Sequence, residues 1–212
     1  ISACLVGSEM CIRDSYNVVQ GEYPSDDLEF DAYLVTGSKA DSFGTDPWIQ
    51  TLKTYLLGRY ERGDKLLGIC FGHQLLALLL GGKSERASQG WGVGTHSYKL
   101  AAKAPWMSPV VEELTLLISH QDQVTALPEN ATVIASSDFC PFAAYHINDQ
   151  VLCFQGHPEF IHDYSRALLD LRQEFLGEQI YQKGVASLER DHHGTTVAEW
   201  MMRFVAHKPE AA

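Results

Sequence analysis

The chain has 212 residues, of which 45% are hydrophobic and 20% are charged, a composition typical of one globular core rather than of a disordered chain. A formal net charge of −11 and only 16 scattered Lys and Arg residues argue against a nucleic-acid partner, which needs clustered cations. No apolar run approaches the roughly 18 residues that cross a bilayer, so we expect no membrane partner.

Five cysteines are an odd number and no CxxC pair occurs, which favours a reducing, cytoplasmic location. Residues 1–15 have no clear period after a short apolar run at 1–6. We therefore expect this segment to be doubtful, the natural N-terminus having been lost or replaced. Residues 16–207 are predicted to form a single domain, followed by a tail at 208–212.

From residue 16 onward, short apolar runs alternate with longer amphipathic stretches, as in a parallel sheet covered by helices. Strands are predicted at 16–19, 32–35, 65–69, 115–118, 132–136, 143–147 and 151–154. The fold class is therefore α/β, with a three-layer, open, mostly parallel sheet and helices on both faces.

Three longer stretches have helical spacing, in addition to a helix predicted at 74–80. The first covers 48–60 and presents one face made of Trp48, Leu52, Tyr55, Leu56 and Arg59. In the second, Asp163 is the expected cap and the predicted buried stripe consists of Tyr164, Leu168, Leu171 and Phe175. The third starts at Thr196, with Thr196 and Glu199 as a capping box and an apolar face of Val197, Trp200, Met201 and Phe204.

The most informative stretch places Cys70 between Gly68 and Gly72, at the end of an apolar strand and the start of a helix. This is the pattern of a tight strand-to-helix turn that exposes a nucleophile, and side chains at either glycine would collide there. The following helix presents its positive end to the thiol and favours the reactive thiolate. Most free cysteines are only small buried hydrophobic residues, but the paired glycines favour the nucleophile.

A second candidate segment contains His157, Pro158 and Glu159. Proline favours an extended conformation for His157, and residues two apart on an extended segment point to the same side. Glu159 can therefore fix the imidazole, as a cysteine nucleophile with a histidine base requires. Both segments are predicted to end at the carboxyl edge of one sheet, where open α/β folds bind ligands. No metal-ligand spacing occurs, so we expect neither a metal nor another cofactor.

The two motifs, Gly68-Ile-Cys-Phe-Gly-His-Gln74 and Gln155-Gly-His-Pro-Glu159, together resemble the class I glutamine amidotransferases. The resemblance extends from Tyr16 to about Phe204 and implies a flavodoxin-like fold. It implies a catalytic triad of Cys70, His157 and Glu159, which hydrolyses a γ-glutamyl amide through a thioester. It also implies oxyanion donors at Gly37 and Phe71, and a glutamine pocket lined by Gln74, Ser119, His120, Gln121 and Asp122. Without it, the segment 119–122 is an ordinary polar loop.

The resemblance leaves the reaction partner open. Many relatives feed ammonia to a synthetase, but this chain has no phosphate-binding loop, so any synthetase would be another polypeptide. The segments 36–44, 70–74 and 119–128 also resemble stand-alone γ-glutamyl peptidases. A catalytically idle regulatory relative is a third alternative. We expect a small γ-glutamyl molecule as substrate and expect the chain to act alone.

Overall fold

The computed structural model describes residues 2–7 and 10–207. The strands in chain order are β1 (Ser2–Gly7), β2 (Met10–Ser15), β3 (Ala32–Val35), β4 (Leu66–Ile69), β5 (Lys83–Arg86), β6 (Gly92–Leu100), β7 (Glu113–His120), β8 (Asp122–Ala126), β9 (Ala131–Ser136), β10 (Ala144–Ile147) and β11 (Val151–Phe154). The α-helices are α1 (Pro47–Glu61), α2 (Phe71–Leu79), α3 (His162–Leu176), α4 (Glu178–Ser187) and α5 (Gly194–Ala206).

Nine strands form the main sheet, in the order β2-β1-β3-β4-β11-β10-β9-β6-β7, while β5 and β8 form a separate antiparallel pair. Parallel pairing joins β3 to β4 and β4 to β11, at the place where the Cys70 turn leaves the sheet. The other pairs are antiparallel. The α/β class is confirmed, but the sheet is mixed rather than mostly parallel, because short connections allow β9, β10 and β11 to pair as antiparallel neighbours.

Alternating side chains of the central strands bury both faces of this sheet. On β11, Val151 and Cys153 belong to the apolar cluster that includes the buried faces of α1 and α2. Leu152 and Phe154 belong to the opposite cluster, which includes the buried face of α5. Helices therefore cover both faces, as the sequence predicts.

The predicted stripe of α3 faces the wrong way. Tyr164, Leu171 and Phe175 are 52%, 81% and 70% exposed, whereas Leu169 and Leu176 are buried. The buried side of α3 packs with Val93 of β6 and Tyr181 of α4. Helical spacing identifies an apolar stripe but not its neighbour, and α4, which the sequence analysis did not predict, determines which side of α3 is covered.

Other predicted elements differ more locally. Residues 16–19 form no strand, and Val18–Gln20 is a short 3-10 helix. The predicted capping box of α5 does not cap it, because the helix already begins at Gly194 and has no side-chain cap. Strand β6 was missed because its polar and glycine residues hide the apolar period. The strands at 32–35, 65–69, 115–118, 132–136, 143–147 and 151–154 are confirmed within two residues at each end.

The domain bounds predicted at the two ends of the chain stay predictions. β1 pairs with β2 and with β3 in antiparallel register, so the segment at 1–15 contributes two strands to the main sheet. Its separation from the domain at 16–207 stays a prediction, and the predicted tail at 208–212 lies outside the described residues. Among the described residues, no helix has the length and apolar character required to span a membrane.

Candidate active site

Cys70 occupies the turn between β4 and α2 in a conformation that few residues other than glycine adopt, with φ 51° and ψ −98°. The turn is as tight as the sequence predicts. A Cβ atom at Gly72 would lie 2.2 Å from the Val35 carbonyl oxygen, and one at Gly68 would lie 2.7 Å from the Gly72 carbonyl carbon. Both glycines are therefore needed to hold Cys70 in this strained position.

The backbone around Cys70 is anchored to the central strands. Its N–H donates to the Phe154 carbonyl at 2.9 Å, and its own carbonyl accepts from the Gln74 N–H at 3.1 Å. Phe71 is the first residue of α2, where a backbone N–H has no acceptor within the helix. This N–H is therefore available to a substrate oxygen beside Cys70.

His157 is held by three contacts. Its N–H donates to the Leu117 carbonyl of β7 at 2.9 Å, and its ring stacks on Phe160 with centroids 3.9 Å apart. Its Nδ1 donates to the Glu159 carboxylate at 2.7 Å. The adjacency of His157 and Glu159 that the extended segment predicts is therefore present, and it fixes the orientation of the imidazole ring.

Cys70, His157 and Gly37 meet at one point. A Cβ atom at Gly37 would lie 3.0 Å from His157 Cε1 and 3.7 Å from Cys70 Cβ. Burial by itself lowers the pKa of His157, but hydrogen bonds to Cys70 and Glu159 and their negative charges outweigh it and raise the pKa to about 9. The imidazole therefore carries a proton at neutral pH, next to the sulfur.

Two cavities border Cys70. The Gln74 cavity has a volume of about 330 Å³, and the His157 cavity has a volume of about 650 Å³. Cys70, Ser38, Lys39, Ser119 and Arg172 line both of them. A substrate at Cys70 can therefore extend into both cavities.

All five residues predicted for the glutamine pocket line the Gln74 cavity, namely Gln74, Ser119, His120, Gln121 and Asp122. The segment is not the free loop that its composition alone suggests, because it joins the end of β7 to the start of β8. Gln74 Nε2 donates to the Asp122 carbonyl at 2.8 Å and to Gln155 Oε1 at 3.1 Å. It thereby holds the start of β8 beside the cavity.

The buried histidines near the site are neutral. Burial lowers the pKa of His120 to about 3, and the positive charge of His157 acts in the same direction. Burial likewise lowers the pKa of His73 to about 3, although a hydrogen bond with the Phe142 carbonyl opposes the shift. The protonated imidazole at this site is therefore that of His157.

The residues that line the Gln74 cavity without having been predicted for the site include Lys39, Arg86, Trp91 and Arg172. Arg172 donates to Ser119 Oγ at 2.7 Å and lies 5.5 Å from the centre of the Trp91 ring. The sequence signal for Arg172 was its spacing of four residues from Leu168, which places both side chains on the same face of α3. Both side chains line the His157 cavity. Arg86 pairs with Asp122 and Asp41 across the mouth of the Gln74 cavity.

The other two described cysteine side chains are structural. Cys140 and Cys153 are buried, and burial raises the pKa of each thiol to about 12. Both belong to the apolar clusters of the sheet, as expected for core residues. A thiol with such a pKa is unreactive at neutral pH.

Comparison with known proteins adds a family to this geometry. Residues 23–172 match the family model described as glutamine amidotransferase class-I. The chain is 33% identical over 184 residues to gamma-glutamyl peptidase 2 of Arabidopsis thaliana, covering 84% of this chain and 74% of the relative. It is 34% identical over 141 residues to the glutamine-hydrolyzing GMP synthase of Clostridium novyi, covering 66% of this chain but 26% of that protein.

The fold also matches solved structures. A glutamine amidotransferase from Thermotoga maritima superposes with a TM-score of 0.77 at 19% identity, covering 92% of this chain and 86% of the other. At this identity the likeness concerns the fold.

Proposed function

Because the chain belongs to the class I glutamine amidotransferase family, we propose that it hydrolyses γ-glutamyl amide bonds, with Cys70 as the nucleophile, His157 as the acid and base, and Glu159 as the group that orients His157. The observation that carries the proposal is the convergence of the Cys70 side chain with a protonated, carboxylate-held His157 at one end of the sheet.

The contacts support a two-step reaction. As a thiolate, the Cys70 sulfur attacks the γ-carbonyl carbon, and the negative charge that develops on the carbonyl oxygen is stabilised by the N–H groups of Phe71 and Gly37. His157 gives its proton to the leaving nitrogen, the C–N bond breaks and a thioester remains. His157 then takes a proton from water as the water oxygen attacks the thioester carbon; the C–S bond breaks, and glutamate and the Cys70 thiolate are released.

The two cavities divide the substrate between them. The leaving nitrogen must emerge on the side of the proton donor, so the His157 cavity receives the leaving group and the Gln74 cavity receives the glutamyl part. Glycine-sized or larger groups fit a cavity of about 650 Å³ that is lined by Phe160, Tyr164 and Leu168, whereas ammonia needs no such space. This favours γ-glutamyl peptides as substrates and a chain that acts without a synthetase.

A direct comparison of substrates tests the proposal. Purified protein is incubated with glutamine and with γ-glutamyl dipeptides, and free ammonia and free amino acids are measured. We expect dipeptide cleavage to have the higher kcat/KM. Ammonia release from glutamine alone would favour a glutaminase that serves a separate synthetase.

Covalent labelling tests the nucleophile separately. 6-Diazo-5-oxo-norleucine should add one label to the wild type at Cys70 and none to Cys70→Ser, whose turnover should fall by at least ~10⁴-fold. Cys153→Ser provides the matched control, because it removes a buried thiol and should still be labelled at Cys70. A folded wild-type protein that takes no label and cleaves neither substrate would favour the idle regulatory alternative.

A further inference from the structure

A third cavity lies between β6 and α4 and shares Trp91 with the Gln74 cavity. Its volume is about 470 Å³, which is in the range of small-molecule sites. Trp91 is shared with the Gln74 cavity, and no residue is shared with the His157 cavity. We call this space the α4 cavity, and nothing in the proposed reaction uses it.

The α4 cavity is positively charged in an acidic protein. Lys183 and Arg190 line it, and no carboxylate among the described residues does. Within the part of the chain that the structure describes, neither cation forms an ion pair. With 27 acidic against 16 basic side chains in the sequence, two unpaired cations facing one space are a departure from the average surface.

The positive charges of Lys183 and Arg190 both act on His96. His96 also lines the cavity; burial is the main reason that its pKa falls to about 4, and the positive charges of Arg190 and Lys183 lower it further. Arg190 is held in position, since its guanidinium donates to the Thr95 carbonyl and, at 3.5 Å, to Ser97 Oγ. The charge is thus fixed at the wall without being neutralised.

The remaining walls suit a flat ring. Trp91 and Phe139 line the cavity, and Gln89 and Gln179 add amide groups able to donate and accept hydrogen bonds. Two positive charges match the charge of a phosphate monoester, which is close to −2 above its second pKa of about 6. Arginine and lysine are the common ligands of such groups.

We propose that the α4 cavity binds a small phosphate monoester that carries a planar ring, with the phosphate at Lys183 and Arg190 and the ring against Trp91 and Phe139. The site is separate from Cys70, so it does not depend on the proposed reaction. Because Trp91 also borders the Gln74 cavity, the bound ring would contact a wall of the glutamyl site.

Calorimetric titration of the full chain with adenosine 5′-monophosphate at pH 7.5 and low salt tests the site. We expect a Kd below ~1 mM, with much weaker binding of adenosine or of inorganic phosphate alone. Lys183→Gln and Arg190→Gln should each weaken binding by about tenfold or more. Lys183 is exposed, so its variant tests the site even if Arg190→Gln disturbs folding.

Arg166→Gln is the matched control, because Arg166 is a cation of α3 that pairs with Asp170 and lines none of the three cavities. It should bind as the wild type does. Bound phosphate should also raise the pKa of His96, measured by NMR. Absence of binding, equal weakening by Arg166→Gln, or adenosine binding as tightly as its monophosphate would overturn the proposal.

Discussion

At the scale of single residues, a substitution of Glu159 tests the proposed orientation of His157 without changing the proposed nucleophile, Cys70. Its carboxylate is half exposed and bonds Nδ1 of a buried imidazole at 2.7 Å. Glu159→Gln keeps the shape but removes the charge that helps to raise the pKa of His157. We expect kcat/KM to fall by roughly 100-fold, with a lower pKa in the pH–rate profile. An unchanged profile would contradict the assignment of Glu159.

The same residue controls a pH-dependent part of the stability. The folded pKa of His157 is about 9, above the ordinary value of 6.5, so the folded state retains a proton that the unfolded state releases between these values. Its stabilising contribution is complete below pH 6.5 and is lost as the pH rises through 9. Urea unfolding at pH 6 and pH 9.5 should show a larger loss for the wild type than for Glu159→Gln. Equal losses would count against a coupled His157–Glu159 pair.

Most of the local geometry around Cys70 and His157 could be predicted from the sequence. The Gly-x-Cys-x-Gly and His-Pro-Glu patterns are local, and a tight turn or an extended tripeptide determines its own geometry. Arg172 and Trp91 could not be predicted in the same way, because they reach the thiol only through the packing of α3 and β6. Contacts made across the fold have no local sequence pattern.

At the scale of elements, the turn from β4 to α2 depends on the close approach of α2 to β3. Gly72→Ala should place a methyl group against the Val35 carbonyl and destabilise the protein by about 2–4 kcal/mol, with loss of activity. Gly58→Ala is the matched control, because a Cβ atom there meets nothing within 4 Å in α1. It should raise the unfolding free energy by about 0.5–1 kcal/mol. Chemical denaturation of both variants measures the difference.

The orientation of α3 gives a second test at this scale. Leu169 is 3% exposed and Leu171 is 81% exposed. Leu169→Ala should therefore lower the unfolding free energy by about 2–4 kcal/mol, whereas Leu171→Ala should change it by less than about 0.5 kcal/mol. A larger loss for Leu171→Ala than for Leu169→Ala would instead support the buried stripe that the sequence pattern predicts for α3. Apolar spacing alone could not distinguish these faces, because both recur every three to four residues.

At the scale of the whole molecule, buried neutral histidines limit the acid stability. Burial lowers the pKa of His73 and His120 to about 3 and that of His96 to about 4. The unfolded chain takes up these protons near pH 6.5 and the folded protein does not, so the stabilising contribution present above pH 6.5 declines as the pH falls toward 3. The thermal midpoint of unfolding should therefore decrease as the pH is lowered from 6.5 to 4. His96→Gln should reduce this slope, and an identical slope would contradict a partly buried, neutral His96.

The alternation of elements was enough to predict the α/β class, but the antiparallel half of the sheet was not predictable in the same way. β6 is polar along much of its length and contains Gly92 and Gly94, so its pairing with β7 and β9 depends on partners far along the chain. The order of nine strands is therefore a property of the assembled sheet rather than of any one segment.

The backbone hydrogen bond from His157 to Leu117 attaches the proposed proton donor to β7, which is an edge strand of the main sheet, whereas Cys70 is anchored at the centre. Edge strands fray at a lower free energy than central ones. The two reacting groups can thus be separated by a partial opening that leaves the middle of the molecule folded. We expect mild warming to abolish the proposed activity reversibly, at a temperature well below that of global unfolding.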